Sequence, residues 1–222
     1  MLSRKSLRLH LGCGQYYLDG YVNIDFPLSE HTLQQESVAD EYQDLTRLRY
    51  AAESVDEVRL HHVFEHFPRT QAAALVASWH SWLKRGGTLR IEVPDFDATA
   101  ALVLDPNAPT RDRRVAVRHL FGSNEAPWAT HYDGWSESRL RELVGAFGFE
   151  TREVTRNAYL ATRNVEIAAT RGTAPVTKVG ALEAAREYLR EFTLDDSEFE
   201  THLLEIWLEQ FRAQLDHSFA ES

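Results

Sequence analysis

The chain has a single cysteine, Cys13, in 222 residues. One thiol excludes an intrachain disulfide and any zinc cluster built on several cysteines, and it fits a reducing compartment. No stretch reaches the ~18 consecutive apolar residues of a membrane-spanning helix, and the opening MLSRKSLRLHLGCG lacks the apolar run of a secretory signal. These absences lead to the expectation of a soluble, cytoplasmic protein with no membrane span. Basic charge is also scarce: 24 Lys and Arg face 34 Asp and Glu, for a formal charge of −10. A surface that neutralises phosphates leans the other way, so nucleic acid is not expected as a partner. The dinucleotide fingerprint G-x-G-x-x-G is incomplete, with Tyr17 where its third glycine would stand.

A hydrophobic content of 43% is enough for the core of one medium domain. The first hundred residues alternate β-rich runs with polar or helical stretches, the pattern of a parallel sheet with crossovers. LRLHLG (7–12), YVNIDF (21–26), VDEVRLHH (55–62) and GTLRIEVPD (87–95) read as strands. Between the last two, Ala73, Leu75, Val76, Trp79, Trp82 and Leu83 recur at helical spacing, and Gly86-Gly87 marks the expected stop. The stretch 12–21 is short for a full parallel crossover, so either the first crossover is clipped or the first two strands do not pair. Residues 97–134 carry turn chemistry and one helical piece, 112–121, which suggests a lid or substrate loop. A helix capped by Ser136 and stopped by Gly148 follows, then two strands, FETREVT and NVEIAAT, read as an antiparallel pair. Helices at 180–192 and 196–218 close the chain; on the second, Phe199, Leu203, Ile206, Trp207, Phe211 and Leu215 form an apolar stripe. That stripe either packs back on the domain or serves a homo-oligomer or other complex. The expected division is a main domain over 1–171 and a helical C-terminal extension over 172–222.

The chemistry concentrates at strand ends. Gly12-Cys13-Gly14 follows the first strand directly, where glycines let a backbone approach a ligand closely, although a structural turn uses the same residues. Asp25 ends the second strand and can accept both hydroxyls of a ribose, or cap a turn. Asp44 stands where a third strand could end, placed to accept from an adenine amino group or to cap the turn at Thr46.

The succession LHLGCGQ, GYVNID, DL, SVDEV, HHVFEHF, LKRGGTLRIEVPD and a late histidine followed by GF resembles the class I S-adenosylmethionine-dependent methyltransferases. It is most similar to the small ones associated with bacterial surface-polysaccharide synthesis. The resemblance covers about residues 7–170 and implies a doubly wound, Rossmann-like α/β fold with seven strands, the last antiparallel, ahead of the C-terminal helices. It implies S-adenosyl-L-methionine as cofactor and O-methylation of a sugar or glycan precursor. Carried over residue by residue, Gly12, Cys13 and Gly14 surround the methionyl part, Asp25 holds the ribose, Asp44 and Leu45 flank the adenine, and His62 faces the amino end.

His62-Val63-Phe64-Glu65-His66 also matches the H-x-x-E-H pattern of a zinc metallopeptidase class. That chemistry needs both histidines one turn apart on a helix, whereas VDEVRL before them is strand-like and Pro68 follows closely. No metal is therefore expected; Glu65 and His66 fall on the acceptor side of a crevice loop, either as catalytic groups or as a pair that anchors the loop. His131, beside Tyr132 and Trp135, is the other candidate base, its alternative being a surface histidine on an anchored loop. Besides a transferase for a small-molecule or glycan acceptor, two readings stay open: a catalytically silent module that binds the cofactor or serves assembly, and a zinc hydrolase.

Overall fold

The computed structural model describes residues 6–27, 29, 36–174 and 176–220; the outer ends of the two expected segments, 1–5 and 221–222, lie outside them. Seven strands form one sheet: β1 (Arg8–Leu11), β2 (Val22–Asp25), β3 (Glu41–Tyr42), β4 (Val55–His61), β5 (Leu83–Pro94), β6 (Phe149–Tyr159) and β7 (Thr162–Arg171). Their spatial order is β3-β2-β1-β4-β5-β7-β6. The pairs among β1 to β5 are parallel, and β7 runs antiparallel to both β5 and β6. The sheet reverses direction of growth at β1, and the carboxyl ends of β1, β2 and β4 meet there, which is where open α/β sheets bind ligands.

The short 12–21 stretch does join two directly paired strands, with Leu9 opposite Val22 and Leu11 opposite Ile24. A hydrogen-bonded loop takes the place of a crossover helix. Gly12 and Cys13 both donate their N–H groups to the Ile24 carbonyl, at 2.8 and 3.1 Å. Farther along, the Asn23 amide closes on Leu18, accepting from its N–H at 2.9 Å and donating to its carbonyl at 3.1 Å.

One face of the sheet is apolar. Leu9, Leu11, Val58, Leu60, Leu89, Ile91, Val165 and Ile167 are fully buried, in one core with α1 (Arg69–Trp82), α4 (Glu137–Ala146), α5 (Lys178–Arg190) and α6 (Glu198–Ser218). The alternate positions carry Arg59, His61, Arg90, Glu92 and Glu166. Arg59 and Arg90 hold the two oxygens of Glu166 at 3.0 and 3.2 Å. Parallel strands packed on both faces read as continuous apolar runs, so the period-two alternation of VDEVRLH and TLRIEVP reflects this charged second face.

α1 is buried almost all round because α6 lies along it, and Trp79 and Trp82 are core, as expected. The ends are stapled: Trp82 Nε1 donates to the Ser218 carbonyl at 2.8 Å, and the Ser78 and Ser218 hydroxyls meet at 2.7 Å. The buried stripe of α6 differs from the expected one. Leu204, Leu208, Phe211 and Leu215 face inward, while Phe199 and Ile206 are exposed, because α6 presents its 4-3-4 row to α1.

Two further expectations need correction. α1 ends at Trp82, four residues before Gly86, since Leu83 already has extended dihedrals and pairs with Val55. The 97–134 stretch is mostly helical: α2 (Phe96–Leu104) and α3 (Thr110–Phe121) pack on each other, joined by the turn that holds Pro106 and Pro109. Asp95 caps α2 by accepting from the Ala98 N–H, and the Ala-rich α2 lacks polar spacing, which hid it in the sequence. Among the described residues no helix is long and apolar enough to cross a membrane.

Candidate functional site

A cavity of about 600 Å³ opens at the carboxyl ends of β1, β2 and β4. Gly12, Gly14, Asp25, Asp44, Leu45 and His62 all line it, so the structure brings together six of the seven residues expected there. Cys13 does not reach the cavity. Its side chain is buried, and burial followed by the nearby Asp25 pushes the thiol up to about 11, which keeps it protonated. Gly12 is required for a reason the sequence did not show: it sits at φ +70°, and a Cβ there would lie 2.3 Å from a methyl of Val63. The glycine therefore lets the loop after β4 close onto the loop after β1.

Asp25 is 6% exposed and accepts from the Gly14 and Phe26 N–H groups, each at 2.8 Å. The two bonds fix the carboxylate in place at the cavity wall. Asp44 is committed differently. Its Oδ1 caps the turn at Thr46, accepting from the backbone N–H at 2.9 Å and the hydroxyl at 2.7 Å, and Oδ2 lies 3.5 Å from Arg47.

His62 follows directly on β4 with φ +52°, a left-handed conformation uncommon for histidine. Its Nδ1 lies 3.2 Å from Glu65 and its Nε2 3.4 Å from Glu92. Burial favours the neutral ring, but the bonds to Glu65 and Glu92 outweigh it and raise the pKa to about 10. His62 is an imidazolium at neutral pH, clamped by two carboxylates held below their ordinary range. It cannot act there as a base. Nor do residues 62–66 form a helix; Phe64–His66 is a single 3-10 turn, and α1 begins only after Pro68. The metallopeptidase pattern therefore lacks the helix its geometry needs.

Beside this cavity lies a second one of about 400 Å³, sharing His62, His66 and Trp128 with it and reaching His119 and His131. Glu65, 1% exposed, forms part of its wall, and its Oε2 has no hydrogen-bond partner. His66 Nδ1 faces the Thr130 carbonyl at 3.1 Å, and the His66 and His131 rings meet nearly at right angles with centroids 4.8 Å apart. His131 Nε2 is 4.0 Å from Glu65 Oε1. Burial lowers the His131 pKa, so this ring is neutral at pH 7. The two segments are tied by backbone: Tyr132 N–H donates to the Glu65 carbonyl at 2.9 Å. The three residues expected on the acceptor side thus form one cluster.

Two participants escaped sequence reasoning. Glu92 sits at a polar position near the carboxyl end of β5, a signal read only as strand alternation; Trp128 lies in the 3-10 turn Pro127–Ala129 and lines both cavities.

Residues 9–91 match a family profile described as a methyltransferase domain. No curated protein sequence matches the chain. Among solved structures it is similar to a SAM-dependent methyltransferase from Methanosarcina mazei, with 13% identity, a TM-score of 0.50, and coverage of 78% of this chain and 95% of the other. A chain in the Haloferax volcanii complex of the Trm112 methyltransferase activator with a methyltransferase aligns at 12% identity and a TM-score of 0.53, over 78% and 85% of the two chains. A Burkholderia thailandensis 1,6-didemethyltoxoflavin-N1-methyltransferase with bound S-adenosylhomocysteine aligns at 17% identity and 0.51, over 76% and 72%. These are likenesses of fold: the seven-stranded, Rossmann-like sheet with its antiparallel end is that of methyltransferases.

Proposed function

We propose that this chain is an S-adenosylmethionine-dependent methyltransferase that methylates an oxygen of a sugar or glycan precursor in the cytoplasm. The observation that carries the reading is the pairing of two adjoining cavities. One is bounded by the glycine loop and Asp25, the other by the Glu65, His66 and His131 cluster. The matched methyltransferase profile supports the cofactor assignment, and the resemblance of the motif order supports the sugar acceptor.

The residues present fit the cofactor. About 600 Å³ is within the ordinary size of small-molecule sites. Asp25 offers a fixed carboxylate to a ribose diol, Leu45 an apolar wall to a base, and Gly14, at φ +54°, a loop without a side chain. Bound there, S-adenosylmethionine supplies a methyl group already activated on a sulfonium, so the protein's task is mainly alignment and removal of a proton. His62 holds a positive charge between Glu65 and Glu92 and so fixes the wall between the two cavities. Trp128, 42% exposed and lining both cavities, offers an aromatic face to a sugar ring. The acceptor's hydroxyl faces the cluster of Glu65, His66 and His131, where it loses its proton.

Calorimetry with S-adenosylmethionine and S-adenosylhomocysteine tests the cofactor, and transfer of a labelled methyl group to a panel of nucleotide sugars and oligosaccharides tests the acceptor. Label that survives alkaline hydrolysis, as a methyl ether does, is the expected result. Binding without transfer to any member of the panel would favour a silent binding module, and absence of binding would overturn the reading.

A further inference from the structure

We propose that Glu65, His66 and His131 form a binding site for one first-row divalent metal ion, zinc(II) being the best match to the donor set. One nitrogen from each histidine and a Glu65 oxygen all lie within 4.8 Å of one another. Bonds of about 2.1 Å at tetrahedral angles place donor atoms roughly 3.4 Å apart, so closing on an ion takes side-chain rotations of about an ångström.

Three features separate this cluster from a chance grouping. First, Glu65 is buried yet leaves Oε2 without a partner, and His131 Nδ1 is also buried and unpartnered. Native interiors rarely leave such atoms unsatisfied, because a buried polar group without a partner has given up its water and gained nothing in return. Second, the outer contacts are those of ligating side chains. The Thr130 carbonyl takes the His66 Nδ1 proton, which leaves the lone pair on Nε2, and His62 holds the other Glu65 oxygen. Third, two imidazoles and one carboxylate give three protein ligands beside an open cavity, the arrangement of a catalytic rather than a structural zinc. The other grouping of this kind, His61 with Glu92 and Glu166, lacks these features, since Arg59 and Arg90 already occupy Glu166.

The ligand set differs from the one the H-x-x-E-H pattern suggests. His62 is an outer residue, and the third ligand comes from position 131, brought over by the bond between Tyr132 and Glu65. What the ion does rests on the transferase reading above. It takes the acceptor's hydroxyl oxygen as a fourth ligand and lowers that hydroxyl's pKa, so the O–H bond breaks with the proton passing to solvent and the electron pair staying on oxygen. His66 and His131 then act as ligands, and the ion does what a base would do.

The test is titration of the chelator-stripped full chain with zinc chloride, followed by S-adenosylhomocysteine on the same sample. The expected result is one tight equivalent of zinc, weakened by the outer-residue change His62→Asn about 10–100-fold and by His66→Ala and His131→Ala by more than that. Thermal denaturation of each variant establishes that it is folded, and a zinc-induced rise in melting temperature lost in both alanine variants is a second readout. Absence of a tight equivalent in the wild type overturns the site, as does zinc affinity that is unchanged in His131→Ala or falls further in His62→Asn than in His131→Ala. S-adenosylhomocysteine binding without zinc binding removes the metal and leaves the transferase. Zinc binding without S-adenosylhomocysteine binding supports the site and removes the transferase.

Discussion

The two walls of the crevice are built on opposite principles. On the β1–β2 side the carboxylates that line the cavity are matched: Asp25 holds two backbone N–H groups, and Asp44 holds the Thr46 N–H and hydroxyl. On the β4 side the buried groups are short of partners, with Glu65 Oε2 and His131 Nδ1 unbonded behind a clamped imidazolium. A matched wall is rigid before any ligand arrives and suits a component whose shape never varies. An unmatched wall carries buried polar groups whose needs a ligand meets, which suits the end where chemistry occurs.

The sharpest way to break this contrast is to change each wall and read both functions. His66→Ala and His131→Ala should lower methyl transfer by about 10²–10⁴-fold while S-adenosylhomocysteine affinity stays within about threefold, measured by label transfer and calorimetry. Equal losses in both would mean the walls are not separable. Asp25→Ala should act on the other quantity. Two charge-assisted bonds disappear along with those to the ribose, and about 3 kcal/mol of lost binding corresponds to a weakening of about a hundredfold. Urea denaturation should show a loss of stability as well, because the Gly14 and Phe26 N–H groups lose their acceptor.

A smaller effect separates the clamp from the matched wall. The folded pKa of His62, about 10, stands above its ordinary 6.5. The clamp's contribution to stability is therefore fully present below about pH 6.5 and is lost as pH rises through about 10. Melting temperature should fall over that window more steeply in the wild type than in His62→Asn, which keeps tolerance of positive φ but removes the titrating charge. Parallel curves would show that His62 carries no such charge. The smallest change is expected for Asp44→Ala, about 1 kcal/mol of stability from the lost cap, with only a few-fold loss of S-adenosylhomocysteine affinity.

Much of the matched wall was legible in the sequence because it is local. An apolar strand running into Gly12, and Asp25 at the end of the next strand, are signals spaced by strand geometry alone. The alternation of VDEVRLH likewise carried the half-charged sheet, although its meaning emerges only with the pairing of Arg59 and Arg90 to Glu166. The unmatched wall is assembled from 62–66, Glu92 and 128–132, segments whose proximity depends on β5 lying beside β4 and on one backbone bond between Tyr132 and Glu65. No window on the sequence contains it. The short motif at 62–66 does not show the partners the fold gives it, since nothing local reveals that His62 faces two carboxylates. α2 was missed because it carries no amphipathic period: Thr99 is its one buried residue.

The most direct test of the central claim, that this crevice holds S-adenosylmethionine against Asp25, is calorimetric titration of S-adenosylhomocysteine into the wild type and into folded Asp25→Ala. One equivalent bound by the wild type, with affinity lowered about a hundredfold in the variant, is the predicted result. No binding to the wild type, or equal affinity in both proteins, would contradict it.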